Sequence, residues 1–224
     1  MTALAWVRSS IGKKALMALS GLALALFVLI HLAGNLLVFA GPEAMNAYAA
    51  KLRHLGPWLW VARAGLILAV VVHTWTSVAL AIENRQARAQ RYATYRTRTT
   101  SLAARFMLAT GVALLAFVVY HLLHFTFRVT HPQFSHGVDA LGRHDVYGMV
   151  VQSFHDPILA FAYVVGVAAV CIHLSHGIGS TAQTLGYNDE RTLAVVSHTG
   201  RLASALIFLG YSAIPLSVLL GYVR

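Results

Sequence analysis

The sequence predicts an all-α fold: a single bundle of five transmembrane helices with no separate soluble domain. The 224 residues are 58% hydrophobic and only 11% charged, and the mean hydropathy is +0.67. A water-soluble domain of this size has no core large enough to bury so many apolar side chains. The apolar residues also fall into five long runs, at about residues 15–40, 58–82, 102–127, 154–178 and 202–223. We therefore expect an integral membrane protein.

Each of the five runs is long enough for one transmembrane helix, because about 20 residues at 1.5 Å per residue cross roughly 30 Å of hydrocarbon. The first run follows Arg8, Lys13 and Lys14 and so has the basic flank of a secretory signal. Its apolar part exceeds the roughly 7–15 residues of a signal peptide. We therefore interpret it as a retained helix, and the other four runs follow as helices two to five.

Basic residues near the helix ends predict the orientation of the bundle, since Lys and Arg are enriched in short cytoplasmic loops. With the N-terminus inside, the inner side carries most of the 17 Lys and Arg residues, namely Arg8, Lys13, Lys14, Arg85, Arg88, Arg91, Arg96, Arg98, Arg105, Arg191 and Arg201. The outer side then carries Lys51, Arg53, Arg63, Arg128, Arg143 and Arg224. The asymmetry predicts a cytoplasmic N-terminus and an external C-terminus.

The formal net charge of +10 and the pI near 10.3 raise the question of nucleic-acid binding. However, the basic residues flank apolar helices and do not form one soluble face. Anionic membrane lipid headgroups, or an acidic partner that docks on the cytoplasmic side, explain them better. We expect no nucleic-acid partner.

Four histidines each lie in a different apolar run, past its middle in the direction of the chain: His31, His73, His121 and His173. Successive helices cross the membrane in opposite directions, so this offset sorts the four residues into two depths. We expect His31 and His121 about 5–9 Å toward the outer surface, and His73 and His173 about 5–8 Å toward the cytoplasm. The sequence therefore predicts two pairs of imidazoles, one in each half of the membrane.

Two imidazoles on opposite faces of an iron porphyrin are a familiar ligand set for a b-type haem. Ligation also offsets the cost of placing a polar ring at membrane depth. The pairs therefore predict two b haems, an outer one and an inner one, as in a dihaem electron carrier. Glycines two to three turns before these histidines are candidates for making room for the ring: Gly21, Gly65, Gly111 and Gly166.

Other histidines lie close to these ligands or at the membrane boundaries. His124 and His176 each follow a proposed ligand by three residues, which rotates each by about 60° from it. We expect them to be hydrogen-bonding or propionate-side residues and not ligands. A zinc site is an alternative for the histidines after helix three, although solvated loop residues are the simpler interpretation: His131, His136 and His144. Three more histidines lie at membrane boundaries, where a polar ring needs no special explanation: His54, His155 and His198.

Five segments together carry a resemblance to a known family. They are residues 10–39 (SIGKKALMALSGLALALFVLIHLAGNLLVF), 41–53 (GPEAMNAYAAKLR), 71–88 (VVHTWTSVALAIENRQAR), 119–127 (VYHLLHFTF) and 145–186 (DVYGMVVQSFHDPILAFAYVVGVAAVCIHLSHGIGSTAQTLG). The most specific motifs are SG and HLAGN in helix one, and HLSHG with QTLG in helix four. Along essentially its whole length the chain resembles the dihaem cytochrome b subunit of succinate:quinone oxidoreductases and fumarate reductases.

This resemblance implies a five-helix anchor in the bacterial inner membrane that carries two b haems. A flavoprotein subunit and an iron–sulfur subunit dock on it from the cytoplasm, and the whole complex can form a higher oligomer. The family's axial ligands fall on His31 and His121 for the haem far from the soluble subunits, and on His73 and His173 for the near one. The implied function is electron transfer between the iron–sulfur subunit and a membrane quinone, usually menaquinone.

Polar residues near the membrane boundaries are candidate contacts for haem propionates or quinone. On the inner side these are Ser10, Lys13, Ser20, Arg105 and Gln183. On the outer side they are Lys51, Arg53, His54, His155 and Asp156.

The chain departs from some family members at two places. The stretch AAKLRHLGPW at residues 49–58 has no Asp or Glu, whereas some members use an acidic residue in this region for quinone protonation. Val170, Cys171 and Ile172 precede His173, where some fumarate reductases have a glutamate. A proton path through such carboxylates is therefore not carried over to this chain by the resemblance.

Succinate chemistry is not expected on this chain itself. The sequence has no flavin-binding fingerprint, no nucleophile with its base and no catalytic carboxylate pair, so it is predicted to be the subunit that does not bind succinate. One alternative is the cytochrome b of a hydrogenase or formate dehydrogenase, whose electron donor would be periplasmic. Another is a haem-free transporter or anchor in which the histidines relay protons or pack.

Overall fold

The computed structural model describes residues 2–87 and 106–224. Within these ranges the chain forms α1 (Ala3–Arg8), α2 (Ser10–Asn35), α3 (Pro42–His54), α4 (Pro57–Gln86), α5 (Met107–His121), α6 (Val146–Phe154), α7 (Pro157–Thr184) and α8 (Glu190–Leu219). These ranges contain no β-strand, only an isolated bridge between Val138 and His144. Five helices, α2, α4, α5, α7 and α8, are long and apolar enough to cross a membrane. The predicted all-α bundle of five transmembrane helices is confirmed, and the chain is a multi-pass membrane protein.

Side-chain caps determine where several of the long helices begin. Ser9 Oγ accepts a hydrogen bond from the Gly12 amide at 3.0 Å, and Asp156 Oδ1 accepts one from the Ile158 amide at 2.8 Å. Asp189 Oδ1 accepts from the Thr192 amide at 2.8 Å, so α8 begins at Glu190. Such caps satisfy amides that have no partner within the helix. The fifth helix therefore extends well ahead of the apolar run at 202–223, because its first turns are polar.

Two of the spanning helices, α2 and α5, end in a turn that is not α-helical. A 3₁₀ turn, Leu36–Ala40, follows α2 and leads to Gly41, whose φ of +92° favours glycine. A π turn, Leu122–Thr126, follows α5 and contains His124. A π turn holds more residues than an α turn and changes the direction of the side chains within it. His124 therefore does not lie where a continuous α-helix would place it.

The spanning helices pack as two hairpins and a fifth helix. Helix α2 packs along α4, and α5 packs along α7. The hairpins meet where α2 contacts α7, and α8 packs along α7 and also contacts α2. The outer faces carry large exposed apolar side chains such as Leu26, Val112 and Phe161, as a lipid-facing surface requires. We call the end of the bundle that carries Thr2 the N-terminal end, and the end that carries Arg224 the C-terminal end.

Helices α3 and α6 close the C-terminal end. Asn46 of α3 is almost fully buried, accepts a hydrogen bond from the Tyr147 amide at 3.0 Å and donates one to Asp145 Oδ1 at 2.9 Å. Arg143 pairs with Glu43 at 2.6 Å and with Asp139 at 2.7 Å. These contacts tie α3 to the segment between α5 and α6. Which end faces the cytoplasm stays a prediction from the charge asymmetry.

Candidate functional site

The fold brings the four membrane-embedded histidines together in two pairs. The ring centroids of His31 on α2 and His121 on α5 lie 5.8 Å apart, with the ring planes at 85°. The ring centroids of His73 on α4 and His173 on α7 lie 6.2 Å apart, with the planes at 72°. Each hairpin therefore contributes one imidazole to each pair. These are the same two pairs that the depths in the sequence predict.

The two pairs lie at different heights in the bundle. Gly21 of α2 contacts His73, and His31 follows on the same helix ten residues later. At 1.5 Å per residue the two pairs are separated by about 15 Å along the helix axis. The His31–His121 pair lies toward the C-terminal end, and the His73–His173 pair lies toward the N-terminal end. We refer to them as the C-terminal pair and the N-terminal pair.

The spacing within each pair suits a metal ion bound between two imidazoles. Two metal–nitrogen bonds of about 2 Å, with about 1 Å from each nitrogen to its ring centre, give a centroid separation of roughly 6 Å. The observed separations of 5.8 and 6.2 Å agree with this value. Among residues 2–87 and 106–224, no group of three or more metal-ligating side chains occurs. A group that brings its own equatorial ligands, as a porphyrin does, fits such two-histidine sites.

Hydrogen bonds determine the tautomer of His73. Its Nδ1 atom lies 3.0 Å from the carbonyl oxygen of Met17, which only accepts hydrogen bonds, so Nδ1 carries the proton. The Nε2 lone pair is then free to bind a metal. Metal-ligating histidines commonly donate their other N–H group to a carbonyl oxygen in this way.

His173 has an equivalent environment on α5. Its Nδ1 atom lies 3.3 Å from Thr110 Oγ1, and the backbone of Met107 lies beside the ring. The Thr110 hydroxyl donates its own hydrogen to the Phe106 or Met107 carbonyl, at 3.0 and 3.1 Å, so it acts as an acceptor toward His173. His173 therefore also presents Nε2 without a proton.

Glycines make room for both imidazoles of the N-terminal pair. A Cβ atom on Gly21 would lie 2.9 Å from Cε1 of His73, and one on Gly111 would lie 3.5 Å from Cε1 of His173. Each glycine thus serves the histidine of the neighbouring helix and not the one on its own helix. The space beside Gly166, in contrast, is occupied by the ring of Phe117. A Cβ atom added to Gly65 would have no neighbour within 4 Å. That Gly65 and Gly166 make room for a haem ring stays a prediction from the sequence.

Aromatic rings surround the C-terminal pair. Phe27, one turn before His31, stacks on it at 5.2 Å, and Phe117, one turn before His121, lies 6.2 Å from that ring. Tyr163 of α7 lies 6.0 Å from His121. In the part of the chain that the structure describes, neither ring of this pair has a hydrogen bond at a nitrogen atom. Aromatic packing therefore holds this pair, whereas hydrogen bonds hold the N-terminal pair.

His124 is fully buried and uses both ring nitrogens within the protein. Nε2 lies 3.1 Å from Ser153 Oγ, and Nδ1 lies 2.9 Å from the Tyr163 hydroxyl. Ser153 donates its own hydrogen to the Met149 carbonyl at 2.7 Å, so it accepts from His124 Nε2–H. Tyr163 then donates to Nδ1. This arrangement leaves His124 no nitrogen for a metal ion.

The other residues predicted for the inner side lie in varied environments. Lys13 is buried and forms an ion pair with Glu83 at the end of α4. Ser20 Oγ lies 3.4 Å from Nδ1 of His73. His176 is partly buried one turn after His173, while Ser10 and Gln183 are exposed. Arg105 lies outside the described residues.

Two of the residues predicted for the outer side line a cavity of about 240 Å³ at the C-terminal end. Arg53 and His54 form one wall, and Arg143 and His144 form the other. Burial, together with the nearby Arg53 and Arg128 charges, lowers the pKa of His144 and favours its neutral form. Lys51 and His155 are exposed, and Asp156 is occupied as the cap of α7. The described residues form no three-ligand zinc site from His131, His136 and His144.

Three partners of the N-terminal pair were missed in the sequence: Met17, Met107 and Thr110. A repeat in the sequence points to them. Residues 17–31 read MALSGLALALFVLIH, and residues 107–121 read MLATGVALLAFVVYH. Each segment begins at the methionine whose backbone contacts an imidazole and ends at a histidine of the C-terminal pair. The first helices of the two hairpins thus share one sequence pattern. Its first residue lies at the N-terminal pair and its last residue belongs to the C-terminal pair.

Fold and site together define a class: a helical multi-pass membrane protein with two close pairs of imidazoles inside the bundle. The sequence model of the succinate dehydrogenase/fumarate reductase transmembrane subunit family matches residues 82–214. The chain belongs to this family, which confirms the resemblance. Membership makes it a membrane subunit of that enzyme complex and implies association with the complex's other subunits. No curated protein and no solved structure matches the chain significantly.

Proposed function

We propose that this chain is the dihaem cytochrome b subunit of a succinate:quinone oxidoreductase. One haem b would lie between His31 and His121, and a second between His73 and His173. The observation that carries this proposal is the pair of opposed imidazoles, each about 6 Å apart between centroids, repeated at two heights of the bundle. Both histidines of the second half, His121 and His173, lie within the segment that matches the family.

When bound, the two haems supply one-electron carriers between an iron–sulfur subunit and a membrane quinone. The chain provides the ligands and their orientation. Met17 and Thr110 accept hydrogen bonds from the Nδ1–H groups of His73 and His173, which leaves both Nε2 atoms without a proton and able to bind iron. The offset of about ten residues, about 15 Å along the helix axis, would put the two haems in series across the membrane.

The soluble subunits would dock at the N-terminal end of the bundle, which the charge asymmetry assigns to the cytoplasmic side of a bacterial inner membrane. The flavoprotein would carry the succinate chemistry, and the iron–sulfur subunit would face the N-terminal pair. The quinone, expected to be menaquinone, has candidate contacts at the opposite end. Arg53 and His54 are the best placed of these, because they line a cavity.

Purification of the whole complex from membranes tests this proposal. We expect a reduced-minus-oxidised visible spectrum with b-type bands, two haems per chain and two co-purifying soluble subunits. His31→Ala and His121→Ala should each remove the haem of the C-terminal pair, while His73→Ala and His173→Ala remove the other. His198→Ala, on the exposed surface of α8, is the matched control and should keep both haems. Loss of the same haem from the His31 and His73 variants would refute the pairing.

A further inference from the structure

The two hydroxyl side chains beside the N-terminal pair occupy equivalent positions. Ser20 Oγ lies 3.4 Å from Nδ1 of His73, and Thr110 Oγ1 lies 3.3 Å from Nδ1 of His173. Ser20 and Thr110 also correspond in the repeat, three residues after Met17 and Met107. The same contact therefore occurs once in each hairpin, on the helix that neighbours the histidine.

The Ser20 hydroxyl is an acceptor toward the imidazole. It donates its hydrogen to the Leu16 carbonyl at 2.6 Å, so toward His73 it offers only a lone pair. The Nδ1–H group of His73 is then shared between the Met17 carbonyl at 3.0 Å and Ser20 Oγ at 3.4 Å. A hydroxyl with its hydrogen engaged in this way is poorly placed to donate to a haem propionate, the role considered for Ser20 in the sequence.

Acceptors at Nδ1–H change the ligand as well as its orientation. They draw the N–H proton away from the ring, which makes the opposite nitrogen a stronger electron donor. A stronger donor stabilises the oxidised form of a bound iron. The C-terminal pair, where the described residues provide no such acceptor at His31 or His121, lacks this effect.

We propose that Ser20 and Thr110 are positioning residues that set the ligand strength of the N-terminal pair. Through His73 and His173 they lower the midpoint potential of the haem between these two histidines and leave the other haem unaffected. This inference rests on the proposed function, since it concerns the ligands of a haem that the function requires.

Redox titration of the purified complex tests the proposal with Ser20→Ala and Thr110→Val. Each variant removes the hydroxyl but keeps the backbone carbonyls. We expect the midpoint potential of one haem to move upward in both variants. It should be the haem that His73→Ala removes. Ser20→Thr and Thr110→Ser exchange the two hydroxyl residues of the repeat and should restore the wild-type potential. Ser204→Ala is the control, because this buried serine of α8 donates to the Gly200 carbonyl at 2.8 Å.

Unchanged potentials in both hydroxyl-deletion variants would overturn the inference, as would a shift confined to the haem that His31→Ala removes. Ser20→Ala could instead lose the haem of the N-terminal pair. Recovery of that haem in Ser20→Thr would then support the role of the hydroxyl, and its continued loss in Ser20→Thr would overturn the inference. A wild-type complex without haem would refute both the inference and the proposed function. If the histidine variants lose haem in the expected pairs but the midpoint potentials of Ser20→Ala and Thr110→Val equal those of the wild type, the inference is refuted and the proposed function stands.

Discussion

An alanine at Gly21 should disturb His73, whereas an alanine at the equivalent Gly111 should be tolerated. The added Cβ atom lies 2.9 Å from Cε1 and 3.2 Å from Nδ1 of His73, but 3.5 Å from Cε1 of His173. The first distance requires a movement, and the hydrogen bond from His73 to the Met17 carbonyl opposes it. Overpacking of this kind costs about 1–3 kcal/mol.

The two substitutions form a matched pair, since both glycines lie in the interior of a spanning helix and contact an imidazole through the same ring atom. Any gain in helix propensity, about 1 kcal/mol for glycine to alanine, applies to both and cancels in the comparison. Gly21→Ala should therefore be less stable than Gly111→Ala by the overpacking cost, about 1–3 kcal/mol. It should also bind less haem at the N-terminal pair.

Unfolding of the purified chain by sodium dodecyl sulfate in mixed micelles measures the difference, and absorption spectra of the same samples measure haem content. Gly65→Ala is a suitable control, because its added methyl group meets no other atom within 4 Å. Equal stabilities for Gly21→Ala and Gly111→Ala would show that the imidazoles move freely in their sites. That result would refute the account of His73 as a ring held in place.

Three further predictions concern other parts of the chain. His124→Gln should keep both haems and lose at most one buried hydrogen bond, about 1 kcal/mol; absorption spectra check this, and loss of one haem equivalent would make His124 a ligand. A reporter fused after Arg91 should be cytoplasmic and one fused near Gly137 external. The opposite pattern would show that the bundle has the reverse orientation in the membrane. Hydrogen bonds from Arg143 lower the pKa of Glu43, so this ion pair contributes at neutral pH and is lost as the pH falls through the lowered pKa. Proteolysis between α5 and α6 should rise on acidification, and Arg143→Gln should show the high rate already at neutral pH; equal rates at neutral pH would contradict this role.

Features that depend on composition and on the alternation of helix direction were predictable from the sequence. Apolar runs indicate the five spanning helices because side chains that face lipid must be apolar. The off-centre positions of His31 and His121 in their helices indicate that these two residues lie at the same depth. The start of α8 was not predictable from hydropathy, since its first turns at Glu190 are polar and depend on the Asp189 cap.

Features that depend on backbone atoms or on contacts between distant segments were less accessible. The Met17 carbonyl contributes to the site through its backbone, so its side-chain type gives no signal, and only the repeat with Met107 points to it. His124 was placed by assuming a continuous helix, whereas it lies in a π turn and contacts Ser153 and Tyr163. Those partners become apparent only when α6 and α7 are packed against α5.

The sharing of both pairs between the two hairpins has a consequence for biogenesis. A ribosome-bound chain that has inserted only α2 and α4 holds His31 and His73, one half of each site, and neither half can form a two-histidine site alone. The His31–His121 pair is complete once α5 has entered the membrane, and the His73–His173 pair only after α7 has followed. Insertion of the two proposed haems would therefore finish late in maturation, and the bound haems would connect the two halves of the chain.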